Sequence, residues 1–542
     1  MLTVAEETLE RIATEHGKKV STHLYGQEIN PETYAIAKAD LILKGEGEEA
    51  DNIVGGTEWS TLSNDAFPAR EFDFMLSNPP YGTSYKTDLE RMGGKGEVKD
   101  PRFIISHAGD NKYSLLPRSS DGQMLFLANL ASKMKHKTAL GSRIASVHNG
   151  SSLFTGDAGS GESNTRRWII ENDWLEAIIA LPLNMFFNTG IATYVWVLTN
   201  RKPEARKGKV QLIDATGMST PLVKNMGKKN CQLTPDHIET IVRTFVDFEP
   251  SEQSRIFDNR DLGYWKVTVE RPLRLISELS PSAIEALRFA SGDRLIRERL
   301  YEEFGDALSS DYGTIAKPLE KRLLEWGQAQ GDDEEDGKSK AKGLPEKKRA
   351  KLLNPKLWAR DARLVELGYL LRSKLGGEPF NDFNLFKEKA EATLKKEGVK
   401  LGAADLKALL RGVSRTAPEA APVIKKVHKL NVTDPMNGLF PATMSGKQVI
   451  VEFEPDTDLR DTEVVPLLEP GGIEAFIERE VLPHAPDAWI DAEKTQIGYE
   501  ISFTRVFYKP QPLRSLEQIR ADIVALEQET DGLLPQIIGT SA

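Results

Sequence analysis

The stretch Phe72-Asp73-Phe74-Met75-Leu76-Ser77-Asn78-Pro79-Pro80-Tyr81 decides how this chain is read. Residues 72–76 are a compact apolar run that predicts a strand, and Asn-Pro-Pro-Tyr follows at its carboxyl end. Open α/β sheets present their functional residues at that edge. The residue types suit one problem in particular. The exocyclic amine of adenine is a poor nucleophile, because its lone pair is delocalised into the ring. Two acceptors aimed at its two hydrogens pull the nitrogen toward tetrahedral geometry and free that lone pair for attack on a methyl donor. The Asn78 side-chain oxygen and the Pro79 backbone carbonyl can be those acceptors. Pro79 and Pro80 stiffen the turn, so little freedom is lost when a substrate arrives. Tyr81 offers a ring against which an extruded base can stack. The competing reading is a proline turn leaving a strand, with Tyr81 a surface aromatic. An apolar strand directly before and an aromatic directly after favour methyl transfer.

Upstream, Leu2, Ala5, Leu9, Ile12 and Ala13 recur at helical spacing, with Gly17 placed to end the helix. Residues 20–28 then read as a strand, 31–43 as a helix opened by Pro31, and 53–54 as a short strand. Glu28 closes the first of these strands, at the place where doubly wound folds bind the ribose of a nucleoside cofactor. On its own it could equally be a solvated carboxylate. Downstream, 86–116 reads as a long loop or lid. A helix over 124–134, a strand over 143–147, a helix over 166–171 and strands over 175–181, 192–198 and 209–214 follow. Alternating helices and strands to about residue 216 predict an α/β domain with a mostly parallel sheet.

Beyond that point the pattern turns mainly helical. We expect a helical extension over 217–326, a charged linker or disordered loop over 327–348, and a C-terminal α+β region over 349–542. In that last region 449–453 and 500–507 read as strands. The amphipathic helix near the C-terminus, with Leu516, Ile519, Ile523 and Leu526 on one face and a Ser515/Gln518 capping box, could be core and is expected rather to dock on a partner. The basic groups Lys347-Lys348-Arg349 with Lys351 and Lys356, and Lys425-Lys426 with His428 and Lys429, read first as solvated faces and second as phosphate contacts.

Of the 542 residues, 39% are hydrophobic and 28% charged, an ordinary globular balance. A single cysteine, Cys231, excludes an internal disulfide framework and suits a reducing cytoplasm. The longest apolar runs are too short to span a bilayer, and the first residues do not form a signal peptide. A net charge of −10 is the wrong sign for gripping duplex DNA with the whole surface. A DNA enzyme with this balance needs local basic patches or a partner that does the gripping.

Several stretches in order resemble the modification subunit of type I restriction-modification enzymes over most of residues 1–275. They are Tyr25-Gly26-Gln27-Glu28-Ile29-Asn30-Pro31-Glu32-Thr33-Tyr34, Ser77 through Tyr81, Asp121-Gly122-Gln123, His148-Asn149-Gly150-Ser151, 153–163 and Asn188-Thr189-Gly190-Ile191-Ala192-Thr193. The resemblance implies a Rossmann-like methyltransferase sheet that uses S-adenosyl-L-methionine, and an adenine-specific DNA methyltransferase activity. It also implies DNA, a specificity subunit and a restriction subunit as partners, with two modification subunits per specificity subunit. Mapped onto this chain, Glu28 binds the cofactor ribose, Asn64 and Asp65 lie where the cofactor's adenine is contacted, and Asn78, Pro79, Pro80 and Tyr81 handle the target base, with Asn78 also near the cofactor.

The family's Gly-rich cofactor loop, with its Asp-Pro-x-Cys-Gly-x-Gly-Gly pattern, precedes the segment matching Met1-Leu2. Its first strand is therefore expected to be missing from the sheet, along with an N-terminal helical domain. The run 156–161 lacks the strand-to-helix context of that loop and is expected to be a flexible loop near the DNA. Asn188-Thr189-Gly190 is expected to be a turn between strands. Two other functions stay open: methylation of a glutamine amide or of RNA, which pose the same delocalised-lone-pair problem, and a non-catalytic scaffold. The motif alone does not separate adenine from cytosine amines, and the DNA sequence recognised is not encoded here.

Overall fold

The Phe74–Ser77 strand lies at one edge of a six-stranded sheet. This is seen in a computed structural model that describes residues 1–44, 47–187, 189–329, 344–429, 432–444, 446–508 and 515–530. Across the sheet the order is Ser254–Asp258, Lys209–Asp214, Leu175–Ala180, Thr193–Thr199, Arg143–Asn149, Phe74–Ser77. Phe74–Ser77 runs parallel to Arg143–Asn149, and Leu175–Ala180 runs parallel to Lys209–Asp214. Thr193–Thr199 is antiparallel to both of its neighbours, so all four of those strands point the same way. Their carboxyl ends therefore open on a single edge of the sheet, and Asn78 is on it.

The sequence explains the layers. Leu175–Ala180 is almost wholly buried, as a strand covered on both faces must be. One face of Arg143–Asn149 puts Ile144, Ser146 and His148 fully inside. The helix Gln123–Ser132 packs Met124, Leu125, Leu127 and Ala128 into the same core, and Gly161–Glu171 adds Ile169 and Ile170.

A second, smaller sheet pairs Gly26–Glu28 in parallel with Ile53–Gly55. The helix Pro31–Leu43 follows Gly26–Glu28, and the Asn30 side chain caps it by accepting from the Glu32 and Thr33 N–H groups. Among the described residues no backbone ladder joins this pair to the six-stranded sheet. Phe74 is 69% exposed and Leu76 40% on the free-edged strand. Side chains make the connection instead. The Tyr25 ring lies 5.6 Å from both Phe67 and Phe72, the latter two residues ahead of Phe74–Ser77.

The mixed α/β class holds, and several local expectations are corrected. The strand expected over 20–28 is confined to Gly26–Glu28, because Val20 sits exposed with no neighbouring strand to pair with. The expected loop or lid over 86–116 is part of the core. It forms the helix Lys86–Arg91 and the hairpin Ile104–His107/Asp110–Ser114, and it buries Phe103 and Leu115 completely. The domain boundary expected at 216 falls elsewhere, because Ser254–Asp258 pairs with Lys209–Asp214 and carries the sheet onward. The described residues form two compact units, one within 1–265, 466–468 and 496–530 and the other within 266–465 and 469–495. Residues 217–326, expected to be helical, include the hairpin Thr220–Met226/Lys229–Gln232 and the strand Gly263–Glu270.

The second unit holds the long helices Pro355–Leu375 and Phe383–Lys396 around Leu364, Leu371 and Phe386. Lys447–Phe453 is a strand as expected, at the centre of a three-stranded antiparallel sheet. The strand expected over 500–507 is instead a helical turn, Phe503–Val506, that buries Phe503. Most of the expected linker, 330–343, lies outside the described residues. The basic groups are partly neutralised locally, with Lys348 3.5 Å from Asp293, and Lys425 and His428 both on Glu452. No helix among the described residues is long and apolar enough to cross a membrane.

Candidate active site

Ser77 ends its strand and the chain turns outward through Asn78, which is exposed, and Pro79, which is buried. The Tyr81 hydroxyl donates to the Asn78 Oδ1 at 2.6 Å. This bond fixes which end of the amide is the oxygen and leaves that oxygen a second lone pair. Burial pushes the Tyr81 phenol above its ordinary pKa, so it remains a donor throughout the neutral range. The loop after Gly82, a residue with φ of +64°, is strapped down. Tyr85 donates from its hydroxyl to the Pro117 carbonyl at 2.8 Å, and Gly122 donates from its N–H to the Thr83 carbonyl at 3.2 Å. Residues 78–85 are thus held at both ends.

The neighbouring strand end is organised by a polar cluster. Gln123 Nε2 donates to Asp121 Oδ2 at 2.7 Å, to Asn149 Oδ1 at 2.9 Å and to Ser151 Oγ at 2.9 Å. These residues were read from sequence only as carriers of the family resemblance. Asp121 and Gln123 are buried, and the cluster ties the end of Arg143–Asn149 to the start of Gln123–Ser132.

The residues expected at the cofactor divide. Glu28 is half-buried, and its Oε1 accepts from the Asn30 N–H at 2.8 Å. Its other oxygen has no partner among the described residues and can accept from two adjacent hydroxyls, which fits a ribose. Asn64 is exposed, with its Nδ2 donating to the Glu58 carbonyl at 2.9 Å. Asp65 does not fit a ligand role. Its Oδ2 is 2.6 Å from Lys133 Nζ and 3.6 Å from Arg102 Nη1, and its Oδ1 accepts from the Phe67 N–H at 2.9 Å. Asp65 ties the 59–67 segment to the helix Gln123–Ser132 through the residue that ends it, Lys133.

Gln27 went unread although it stands beside Glu28. It donates to the carbonyls of Trp59 and Asn64 and accepts from the Ala66 N–H. An inward-facing Gln next to a strand-end carboxylate was the available signal.

Breaking the Asp65 pair yields a prediction. Asp65→Ala strands the Lys133 ammonium, which is only 8% exposed, without its carboxylate. Removing one partner of a buried pair costs about 3–5 kcal/mol. Urea unfolding should show a loss of that size, whereas a residue that merely touched ligand would leave stability within about 0.5 kcal/mol.

The run 156–161, expected to be a flexible loop, is packed. A Cβ on Gly161 would meet the Leu116 carbonyl oxygen at 2.0 Å, so only glycine fits there. Glu162 and Ser163 are buried, and the fully buried Arg166 holds the preceding carbonyls. Asn188 lies outside the described residues, so the expected turn at 188–190 is described only from Thr189 onward.

The site is thus Asn-Pro-Pro-Tyr at a strand's carboxyl end in a mixed rather than mostly parallel sheet, with its asparagine oriented by its own tyrosine. Residues 1–268 match the N-6 DNA Methylase family. The type I restriction enzyme MjaIX methylase subunit of Methanocaldococcus jannaschii is 30% identical over 244 residues, covering 45% of this chain and 39% of the relative. The type I restriction enzyme MpnII methylase subunit of Mycoplasma pneumoniae is 30% identical over 226 residues, covering 41% and 37%. Among solved structures, the type I restriction-modification system methyltransferase subunit from Streptococcus thermophilus shares 26% identity over 44% of this chain and 46% of that one, with a TM-score of 0.35. The matched region spans about two fifths of the length of these curated relatives.

Proposed function

We propose that this chain is the modification subunit of a type I restriction-modification enzyme and methylates the exocyclic amine of adenine in DNA. The observation that carries the reading is the 2.6 Å bond from the Tyr81 hydroxyl to Asn78 Oδ1 at the carboxyl end of Phe74–Ser77. It presents one oriented acceptor beside the Pro79 carbonyl, on a turn stiffened by two prolines. The target base enters by leaving the duplex and stacking on Tyr81. Asn78 Oδ1 and the Pro79 carbonyl accept from its amino hydrogens and hold the nitrogen lone pair toward the donor. Because both acceptors are set in advance, the site spends little of the binding energy on ordering itself.

S-adenosyl-L-methionine, when bound, supplies a methyl group on a sulfonium centre. In this chain Glu28 would hold its ribose and Asn64 would lie beside its adenine. Asp65 would act at one remove, by holding the 59–67 segment in place. The specificity subunit would read the DNA sequence and the restriction subunit would complete the enzyme, with two modification subunits for each specificity subunit. The exposed apolar side chains of Leu516, Ile523 and Leu526 on the helix Leu516–Thr530, with the Ser515/Gln518 capping box, offer a docking handle for that assembly. A reducing cytoplasm suits the single thiol.

Calorimetric titration of S-adenosyl-L-methionine into the chain tests the cofactor reading. Binding is expected, and Glu28→Gln should weaken it about tenfold or more, as loss of a hydrogen bond to a charged group is worth about 1.5–3 kcal/mol. Equal binding by wild type and Glu28→Gln would remove Glu28 from the site, and no binding by wild type would count against the proposal.

A further inference from the structure

The stretch 215–235 holds three lysines, Lys224, Lys228 and Lys229, and no aspartate or glutamate, in a chain whose net charge is −10. It folds as a two-stranded antiparallel hairpin, Thr220–Met226 against Lys229–Gln232, turning at Gly227-Lys228 with Gly227 at φ of +63°. A two-residue turn with glycine in the left-handed region is the geometry that tight hairpins require. None of the three lysines is in an ion pair with the described residues. Lys229 lies over the Phe187 ring at 5.1 Å, and Lys224 and Lys228 are exposed. Nearly every residue of the longer strand faces solvent on both sides of the ribbon, and Val223 is fully exposed.

An isolated hairpin is marginal in water, so this one depends on its root. There the Asn230 N–H donates to the Asn184 carbonyl at 3.1 Å, and the Cys231 thiol donates to the Leu183 carbonyl at 3.2 Å. Residues 181–192, to which it is anchored, carry no charge at all. The ribbon is therefore a positive projection, fixed at its base and uncovered along its length.

Its position gives it a purpose. The hairpin follows the carboxyl end of Lys209–Asp214, which opens on the same sheet edge as Asn78. In the sheet, Lys209–Asp214 is four places away from Phe74–Ser77. At about 4.8 Å per strand that is an offset of about 19 Å. A duplex delivering a base to Asn78 and lying along this edge extends past the hairpin, reaching it about five to six base pairs from the target at about 3.4 Å each. Two-stranded ribbons fit the major groove of B-DNA, and unpaired lysines neutralise phosphates.

We infer that the Thr220–Gln232 hairpin grips the phosphate backbone of duplex DNA to one side of the target base, through Lys224, Lys228 and Lys229. This rests on the DNA reading above and deepens it. It also answers how a chain of net negative charge meets DNA: through a local projection rather than its whole surface.

The test is the salt dependence of binding to a fluorescein-labelled duplex by anisotropy, using the full chain. Each phosphate contact contributes about 0.9 to the slope of log affinity against log salt. The triple variant Lys224→Gln/Lys228→Gln/Lys229→Gln should bind with a slope smaller by about 2–3, and each single variant by about 1. All three changes are in side chains on the ribbon, and an unchanged melting temperature checks that the fold is intact. The single variant Lys228→Gln, at the turn, provides a second measure should the triple variant be unstable. Asn78→Ala, assayed alongside, should keep the wild-type slope. Equal slopes for wild type and hairpin variants would overturn the inference while leaving the catalytic reading intact. A reduced slope in a chain that transfers no methyl group would leave the hairpin as a DNA contact and remove the catalytic reading. A wild-type chain that does not bind duplex would overturn both.

Discussion

Replacing Asn78 by alanine should cut methyl transfer by about 10²–10³-fold while leaving the fold untouched. The magnitude follows from what is lost. A preorganised hydrogen-bonding group aimed at the reacting atom is worth about 2.7–4 kcal/mol in comparable sites. On the proposed reading Asn78 Oδ1 is such a group, held by the Tyr81 hydroxyl at 2.6 Å. Its side chain is exposed and belongs to no buried network, so unfolding free energy should change by no more than about 0.5 kcal/mol. Initial-rate assays and urea unfolding on the same preparation separate the two effects. A variant that retains most of its activity would mean that the acceptor is elsewhere. A variant that loses activity and stability together would make Asn78 a structural residue.

The second large effect is expected at Arg166. Its guanidinium is fully buried and makes four hydrogen bonds to main-chain carbonyls. Nε donates to Tyr499 at 2.5 Å, Nη1 to Ser152 at 3.1 Å and Thr155 at 2.9 Å, and Nη2 to Gly156 at 3.3 Å. Burial lowers its pKa to about 10, against the favourable charges of Glu162 and Glu500, so it is still a cation at neutral pH. Arg166→Met keeps much of the volume and removes every one of those donors. Each buried carbonyl left unpaired costs about 1–3 kcal/mol, and partial relaxation around the methionine brings the expected total to about 4 kcal/mol. Chemical denaturation should record that loss. A change under about 1 kcal/mol would mean that water or a neighbouring donor already serves these carbonyls.

Arg166 also shows where sequence reading runs out. The glycines at 156, 159 and 161 suggest a mobile loop by composition. They are there because Gly156 and Gly159 have positive φ and because the Gly161 Cα packs on the Leu116 carbonyl. Both the arginine's partner at Tyr499 and the loop's contact at Leu116 are distant in sequence, so no local pattern announces them. The same holds for 86–116. Its polar composition hides Phe103 and Leu115, which are spaced too irregularly to read as a strand or helix yet are completely buried. Residues 20–25 err the other way, since β-branched and aromatic residues there had no strand to pair with.

By contrast, Phe74–Ser77, Arg143–Asn149, Leu175–Ala180 and Lys209–Asp214 were legible because each is a short run rich in apolar residues and bounded by turns. The tetrapeptide 78–81 could be singled out because the chemistry proposed for it is local: both proposed acceptors and the proposed stacking ring lie within four consecutive residues. The residues proposed to meet the cofactor come from separate segments. Glu28, at a strand end, keeps an oxygen available, whereas Asp65, in a loop of equal polarity, turned inward to Lys133. Only the fold distinguishes two such carboxylates.

The most direct test of the central claim is to incubate duplex DNA with the chain and S-adenosyl-L-methionine, digest the DNA to nucleosides and identify the methylated base. N6-methyladenine, formed by wild type and lost in Asn78→Ala, is the expected result. N4-methylcytosine, unmethylated DNA, or a methyl group recovered on a glutamine side chain instead would contradict the account.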